Sequence, residues 1–166
     1  MLGGVTNEMI DEIFDEEPEP PVSDNIAYGM ASSSTTIFDE SVIGSYNIVN
    51  GSSNTQIAPF GLKFGSTMSS TKNFIEITPI EQIKSGYTLS ISVYQTESND
   101  KSIQAKIYIN GNTVTTEQSE KTQKSSETGT KYLTTIDYVF TQNVTEPIRI
   151  GFGNSSFRLH EYTITK

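Results

Sequence analysis

The chain predicts an all-β fold, an antiparallel β-sandwich of jelly-roll type preceded by a short N-terminal helix and a proline-rich spacer. Three observations carry that expectation. Apolar residues recur with a period of two through three long segments after residue 25. Turn-forming residues punctuate these segments at short intervals, and a helical period occurs only near the N-terminus.

The first segment, residues 1–24, is set apart by charge. Eight of the twenty carboxylates fall in it and no lysine or arginine, leaving twelve acids against eleven bases in residues 25–166. The net charge of −9 is therefore a property of the tail, and the β region is nearly neutral. Within the tail, Met9, Ile10, Ile13 and Phe14 fall on one helical stripe. Thr6 is placed to cap that helix, and Glu8 lies in its first turn where a carboxylate favours the macrodipole. Val5 is positioned to staple onto Ile10.

A helix of about ten residues is too short to persist alone in water. Its stripe needs a receiving surface, either on a partner chain or on its own domain. Docking on a partner through Met9, Ile10, Ile13 and Phe14 is the sharper expectation. Next comes Glu16-Glu17-Pro18-Glu19-Pro20-Pro21, which cannot continue a helix. It reads as an extended spacer reaching about 18 Å at about 3.1 Å per residue.

The β domain spans residues 25–166. Tyr87, Leu89, Ile91 and Val93 alternate with Thr88, Ser90, Ser92 and Tyr94. Ile103, Ala105, Ile107 and Ile109 alternate with Gln104, Lys106 and Tyr108, and Ile148, Ile150 and Phe152 alternate with Arg149 and Gly151. Each is a strand with one face on a core and one face wet. Shorter strands are expected at Thr36–Phe38, Tyr46–Val49, Leu62–Phe64, Phe74–Ile77, Thr113–Thr116, Tyr132–Phe140 and Phe157–Thr165. In the last of these Leu159 and Tyr162 are out of phase, which predicts a bulge near His160.

Asn110-Gly111 predicts a two-residue hairpin, and Asn50-Gly51 a weaker one. Glu117–Thr130 has no large apolar residue and reads as a long exposed loop, with shorter loops at Ser32–Thr36 and Ser66–Lys72. The count, about ten strands, fits two sheets of four or five. An immunoglobulin-type sandwich, with fewer strands and a core tryptophan between cysteines, fits less well in a chain with neither residue.

Composition excludes several functions. No basic stripe exists to neutralise phosphates or anionic lipid, so neither nucleic acid nor membrane is an expected partner. Without cysteine there is no disulfide or thiolate chemistry. The N-terminus lacks the basic and apolar regions of a secretion signal, and no stretch has transmembrane length.

Catalytic patterns are thin. His160 is the single histidine, so any Ser-His-Asp scheme must use it, and no Gly-x-Ser-x-Gly elbow occurs. A sheet-edge histidine is the simpler reading. Glu76 and Asp137 would make a glycosidase pair only if their wet faces lined one groove. Asp39-Glu40 and Asn99-Asp100 lack a calcium-loop spacing, and no zinc set exists, so no metal or other cofactor is expected. Tyr94 and Tyr108 are candidate ligand-binding residues, because their rings would form a sugar-stacking platform if the two strands faced solvent together. Tyrosine is also a common strand residue for structural reasons. The sequons at Asn50, Asn143 and Asn154 are what chance produces in a Ser/Thr-rich chain.

Two stretches carry a family likeness. Thr6-Asn7-Glu8-Met9-Ile10-Asp11-Glu12-Ile13-Phe14 resembles a short segment that recurs beside small β domains in virion proteins of tailed bacteriophages. Lys106-Ile107-Tyr108-Ile109-Asn110-Gly111 and Ile148-Arg149-Ile150-Gly151-Phe152-Gly153 are similar in cadence to carbohydrate-binding-module-like jelly rolls. The resemblance implies a virion structural protein of head-fibre, capsid-decoration or tail-appendage type. It would be anchored to other virion proteins through its N-terminus, with a host-surface glycan as a candidate ligand. One such peptide binds too weakly to hold alone, so homo-oligomers that repeat it are expected. The chain has none of the tryptophans usual in sugar-binding members.

Overall fold

A computed structural model describes residues 23–31, 38, 41–49, 56–58, 61–64, 66–96, 103–118, 122–126, 129–153 and 157–166. Twelve strands are present among them: β1 (Asn25–Met30), β2 (Ser45–Val49), β3 (Gln56–Ala58), β4 (Gly61–Lys63), β5 (Phe74–Thr78), β6 (Thr88–Thr96), β7 (Ile103–Ile109), β8 (Asn112–Gln118), β9 (Thr122–Ser126), β10 (Gly129–Val139), β11 (Ile148–Phe152) and β12 (Phe157–Thr165). All named pairings are antiparallel. The expected N-terminal helix and proline-rich spacer, with Met9, Ile10, Ile13 and Phe14, lie outside the described residues.

The strands form two sheets. One has seven strands, in the order β3-β4-β12-β6-β10-β9, with β1 also paired to β12. The other has five, in the order β2-β5-β11-β7-β8. Their apolar faces feed one hydrophobic cluster. Leu89, Ile91, Val93, Ile136 and Ile164 come from the first sheet, and Ile75, Ile77, Ile107, Ile148 and Ile150 from the second. The arrangement is sandwich-like. The period of two is its direct cause, because alternate side chains of each central strand enter that cluster. At about 1.5–3 kcal/mol per large side chain, this burial is the main force holding the sheets together.

Strand β12 organises the first sheet. On one edge it pairs with β6 throughout, from Phe157↔Gln95 to Thr165↔Thr88. On the other edge two strands share it, β1 along Glu161–Thr165 and β4 at Leu159. The register shifts between Leu159 and Glu161, so His160 is the extra residue of a bulge at the point expected from the sequence. Gly61 makes the junction feasible. Its φ is +131°, and a Cβ there would lie 2.1 Å from the Leu159 carbonyl oxygen. Only glycine admits both the conformation and the approach.

The Asn110-Gly111 turn also forms as expected. Both residues have positive φ, 46° and 84°, and Ile109 pairs with Asn112 across it. This is the mirror-image turn whose twist matches antiparallel strands.

Several expectations need correction. Glu117–Thr130 is not one long loop: it contains the end of β8, all of β9 and the start of β10. β9 is an edge strand, paired with β10 alone, so it forms on backbone ladder bonds without an apolar stripe. β1 was hidden for a different reason. Its inward positions include Ala27 and Gly29, and glycine is required because a Cβ at 29 would sit 2.6 Å from the Tyr162 ring. β3 is too short to show a period. Phe38 is buried but lies in a bend with φ 50°, not in a strand, while Thr36 lies outside the described residues. Asn50-Gly51 and Ser32–Thr36 also fall outside them.

Tyr162 itself is fully buried, edge-on to Phe38 with ring centroids 5.2 Å apart. Its hydroxyl has no hydrogen-bond partner among the described residues. Burial pushes this phenol well above its ordinary pKa, because the phenolate would be desolvated; the neighbouring Tyr46 adds to the shift. The folded state therefore holds a proton that the unfolded chain releases near pH 10. The corresponding stability is complete below about pH 10 and is lost as pH rises further. Tyr162→Phe removes an orphaned hydroxyl at nearly constant shape. Its melting temperature at neutral pH should equal or exceed wild type, and its stability should fall less steeply above pH 10. A clear loss of stability at neutral pH would show that the hydroxyl has a partner.

Candidate functional site

The two candidate tyrosines do not share a surface. Tyr94 belongs to β6 and points away from the core on the seven-stranded sheet, where its ring meets His160 edge-on at 4.8 Å. Tyr108 belongs to β7 in the five-stranded sheet. A joint stacking platform, which required both strands to face solvent together, is therefore not formed. The chain changes sheet between β6 and β7, and nothing in a local period of two reveals that crossing.

The Tyr108 ring already has a neighbour. The Arg149 guanidinium lies 5.0 Å from its centroid and 4.7 Å from that of Phe74. Arg149 also pairs with Glu76 at 3.0 Å and donates to the Ser70 carbonyl at 2.8 Å. The group is a half-buried clamp on the outer face of the five-stranded sheet, tying β5, β7 and β11 to the loop before β5. Beside it Gly151 accommodates Met68, since a Cβ at 151 would meet Met68 Cβ at 2.6 Å.

The two acids considered for hydrolysis also part company. Glu76 is committed to Arg149 on one sheet, and Asp137 accepts a hydrogen bond from Ser90 Oγ on the other. They do not face each other across a groove. Asp39-Glu40 and Asn99-Asp100 lie outside the described residues. Among the described residues no three His, Cys, Asp or Glu side chains are grouped to hold a metal ion.

A concave feature lies instead at one end of the domain. A groove of about 540 Å³ is lined by Thr78, Pro79, Glu81, Gln82 and Ile83 from the β5–β6 connection, and by Val144, Thr145, Glu146 and Pro147 from the β10–β11 connection. Ile83 and Val144 are buried residues of its apolar floor, and the Val144 amide donates to the Ile83 carbonyl at 2.9 Å. This bond ties the two walls together.

Asn110 braces the second wall from the side. Its amide donates to the Asn143 carbonyl at 2.8 Å, and its Oδ1 accepts from the Thr145 amide at 3.1 Å and the Thr145 hydroxyl at 3.3 Å. Asn143 Oδ1 in turn accepts from the Ser85 amide at 3.0 Å. The turn expected from Asn110-Gly111 is thus also the buttress of the groove.

Both ends of the described chain meet at this end. The Lys166 amide donates to the Asp24 carbonyl at 3.0 Å, and Lys166 Nζ pairs with Glu81 at 3.0 Å. The hydrogen bond to Lys166 holds the Glu81 carboxyl below the usual carboxylate range, and the same bond raises the Lys166 ammonium. The pair is solvent-accessible and contributes little to stability. Its contribution fades as pH falls through the Glu81 pKa or rises through that of Lys166. Sequence reasoning missed this groove, because its walls come from segments some sixty residues apart with no motif in either.

Replacing Asn110 with alanine deletes three hydrogen bonds and leaves a non-glycine residue in the left-handed region without the asparagine side chain that tolerates it. A cost of about 1–3 kcal/mol is expected. Hydrogen exchange should accelerate at the Thr145 amide while the Ile107 amide stays protected. Equal protection of Thr145 in both proteins would refute the buttress. No protein-family model matches the chain, and no curated protein matches it.

Proposed function

We propose that the protein is a non-enzymatic virion structural component. Its N-terminal peptide anchors it to a capsid or tail through Met9, Ile10, Ile13 and Phe14, and its β domain is displayed outward. The observation that carries this reading is the meeting of Asp24 and Lys166 at one end of the domain. The acidic, apolar-striped segment therefore joins the body at a single pole. The last residues of β6 and β11 and the first residues of β7 and β12 lie at the other pole, since β6 and β11 run away from the groove end while β7 and β12 run back toward it.

The strand order supports the finer fold reading. With β9, β2 and the β3 arm set aside, the sheets read β1/β4-β12-β6-β10 and β5-β11-β7-β8. Apart from the β7–β8 hairpin, consecutive strands of this set alternate between the sheets, an order that fits the two Greek keys of a jelly roll. Such a body suits display, because its two sheets share one hydrophobic cluster.

One helical stripe of four large side chains holds a partner only weakly after ordering costs. Homo-oligomers that present several tails together would compensate. Neither nucleic acid nor membrane belongs to this reading, given the acidic tail and nearly neutral domain.

A glycan-binding adhesion role is the second reading, favoured by the outer face that carries Tyr94. Register places Leu133 and Arg158 opposite Tyr94, and the same face continues through Ser92, Thr135 and Glu161 to Ser90, Asp137 and Thr163, a polar wall with an aromatic at one end. Incorporation into phage particles tests the first reading: deletion of residues 1–16 should sharply lower occupancy, and normal occupancy would sink it. Glycan-array screening of the full chain tests the second. Binding lost in Tyr94→Ala supports adhesion, and no binding at millimolar glycan removes it.

A further inference from the structure

Asn110 joins a sequence prone to spontaneous amide loss with a clamp that holds the amide still. Six asparagines lie among the described residues. Five of them, Asn25, Asn47, Asn73, Asn112 and Asn143, precede isoleucine, phenylalanine, threonine or valine, whose side chains crowd the next backbone nitrogen. Asn110 precedes glycine, so no side chain shields that nitrogen. The space beyond it is open too. A Cβ at Gly111 would meet no atom within 4 Å, and no hydrogen bond among the described residues engages the Gly111 amide. Solvent therefore reaches the nitrogen that would attack the Asn110 side chain.

The carboxamide itself is restrained. Nδ2 donates to the Asn143 carbonyl at 2.8 Å, and Oδ1 accepts from the Thr145 amide at 3.1 Å and its hydroxyl at 3.3 Å. Those partners lie 33 and 35 residues further along the chain, so the group is pinned to a different loop from its own turn. Attack requires Cγ to swing onto the Gly111 nitrogen and release these bonds. Three bonds of ordinary strength make that opening rarer by about tenfold or more than in an unfolded chain.

We propose that Asn110 is a site of spontaneous deamidation, slowed by its own hydrogen bonds, whose product loosens the second wall of the groove. The Gly111 nitrogen loses its proton to hydroxide and bonds to Asn110 Cγ. The Cγ–Nδ2 bond breaks, and Nδ2 takes a proton from water and leaves as ammonia. A second water opens the five-membered imide at either carbonyl, giving aspartate or isoaspartate. Neither product restores the clamp. An aspartate carboxylate has no proton to donate, so it sets an oxygen against the Asn143 carbonyl where a hydrogen bond stood. An isoaspartate adds a methylene to the main chain of a two-residue turn whose φ angles are 46° and 84°, and so disturbs the Ile109–Asn112 pairing. The change has no reverse step, so the stiffness of this wall declines with the age of the folded chain.

Peptide mapping by mass spectrometry tests it on the full chain held at mildly alkaline pH, with isoaspartate scored by enzymatic methylation. Trypsin cleavage after Lys106 and Lys121 isolates Asn110 from the other Asn-Gly pair, Asn50-Gly51. Folded wild type should convert at Asn110 over weeks, and the same chain in urea about tenfold faster or more. Thr145→Val, a change at an exposed position, removes one of the three bonds. It should raise the folded rate by about twofold or more and leave the rate in urea unchanged. Asn110→Asp, which copies one product, should speed hydrogen exchange at the Val144 and Ser85 amides, which join this wall to the other. Four results overturn the proposal: no conversion of folded Asn110, equal rates folded and in urea, a folded Thr145→Val rate equal to wild type, or wild-type exchange at Val144 and Ser85 in Asn110→Asp.

Discussion

Strand β12 pairs with β6 along one edge and is shared between β1 and β4 along the other, and most of the architecture follows from that division. The sharing depends on the bulge at His160, which breaks the register between Leu159 and Glu161. Below the break, β4 approaches so closely that residue 61 must be glycine. Above it, β1 runs beside Glu161–Thr165 and brings Asp24 against Lys166. The position where residues 1–22 join the body is thus set by one extra residue in the last strand. Were β12 regular, its inward set Leu159, Tyr162 and Ile164 could not all face the core, because the phase would flip between the first and second.

At that pinned end the described loops brace one another. The β5–β6 and β10–β11 connections are joined by the Ile83–Val144 backbone bond, and the Asn110 side chain ties the β7–β8 turn to the second of them. A surface held this way keeps its shape without a ligand, which is the condition under which a small apolar contact yields measurable affinity. The outer sheet faces differ from it. One is locked by the Arg149 clamp with Phe74, Tyr108 and Glu76, and the other presents hydroxyls and Tyr94. An exposed antiparallel face needs polar residues for solubility alone, so hydroxyl content by itself carries little functional meaning.

Much of the fold was legible because one-sided burial writes a period of two into each central strand. Leu89, Ile91 and Val93, and then Ile148, Ile150 and Phe152, show it plainly. The phase break between Leu159 and Tyr162 even exposed the bulge. The signal failed where burial was absent or the buried residues were small. β9 has no apolar stripe because it is an edge strand, and β1 turns Ala27 and Gly29 inward, the glycine against the Tyr162 ring. The site was less legible than the fold. Whether Tyr94 and Tyr108 share a face depends on which sheet each strand joins, and that is a long-range fact. The groove arises where two loops meet, and only Asn110, seen first as a turn residue, marked its neighbourhood.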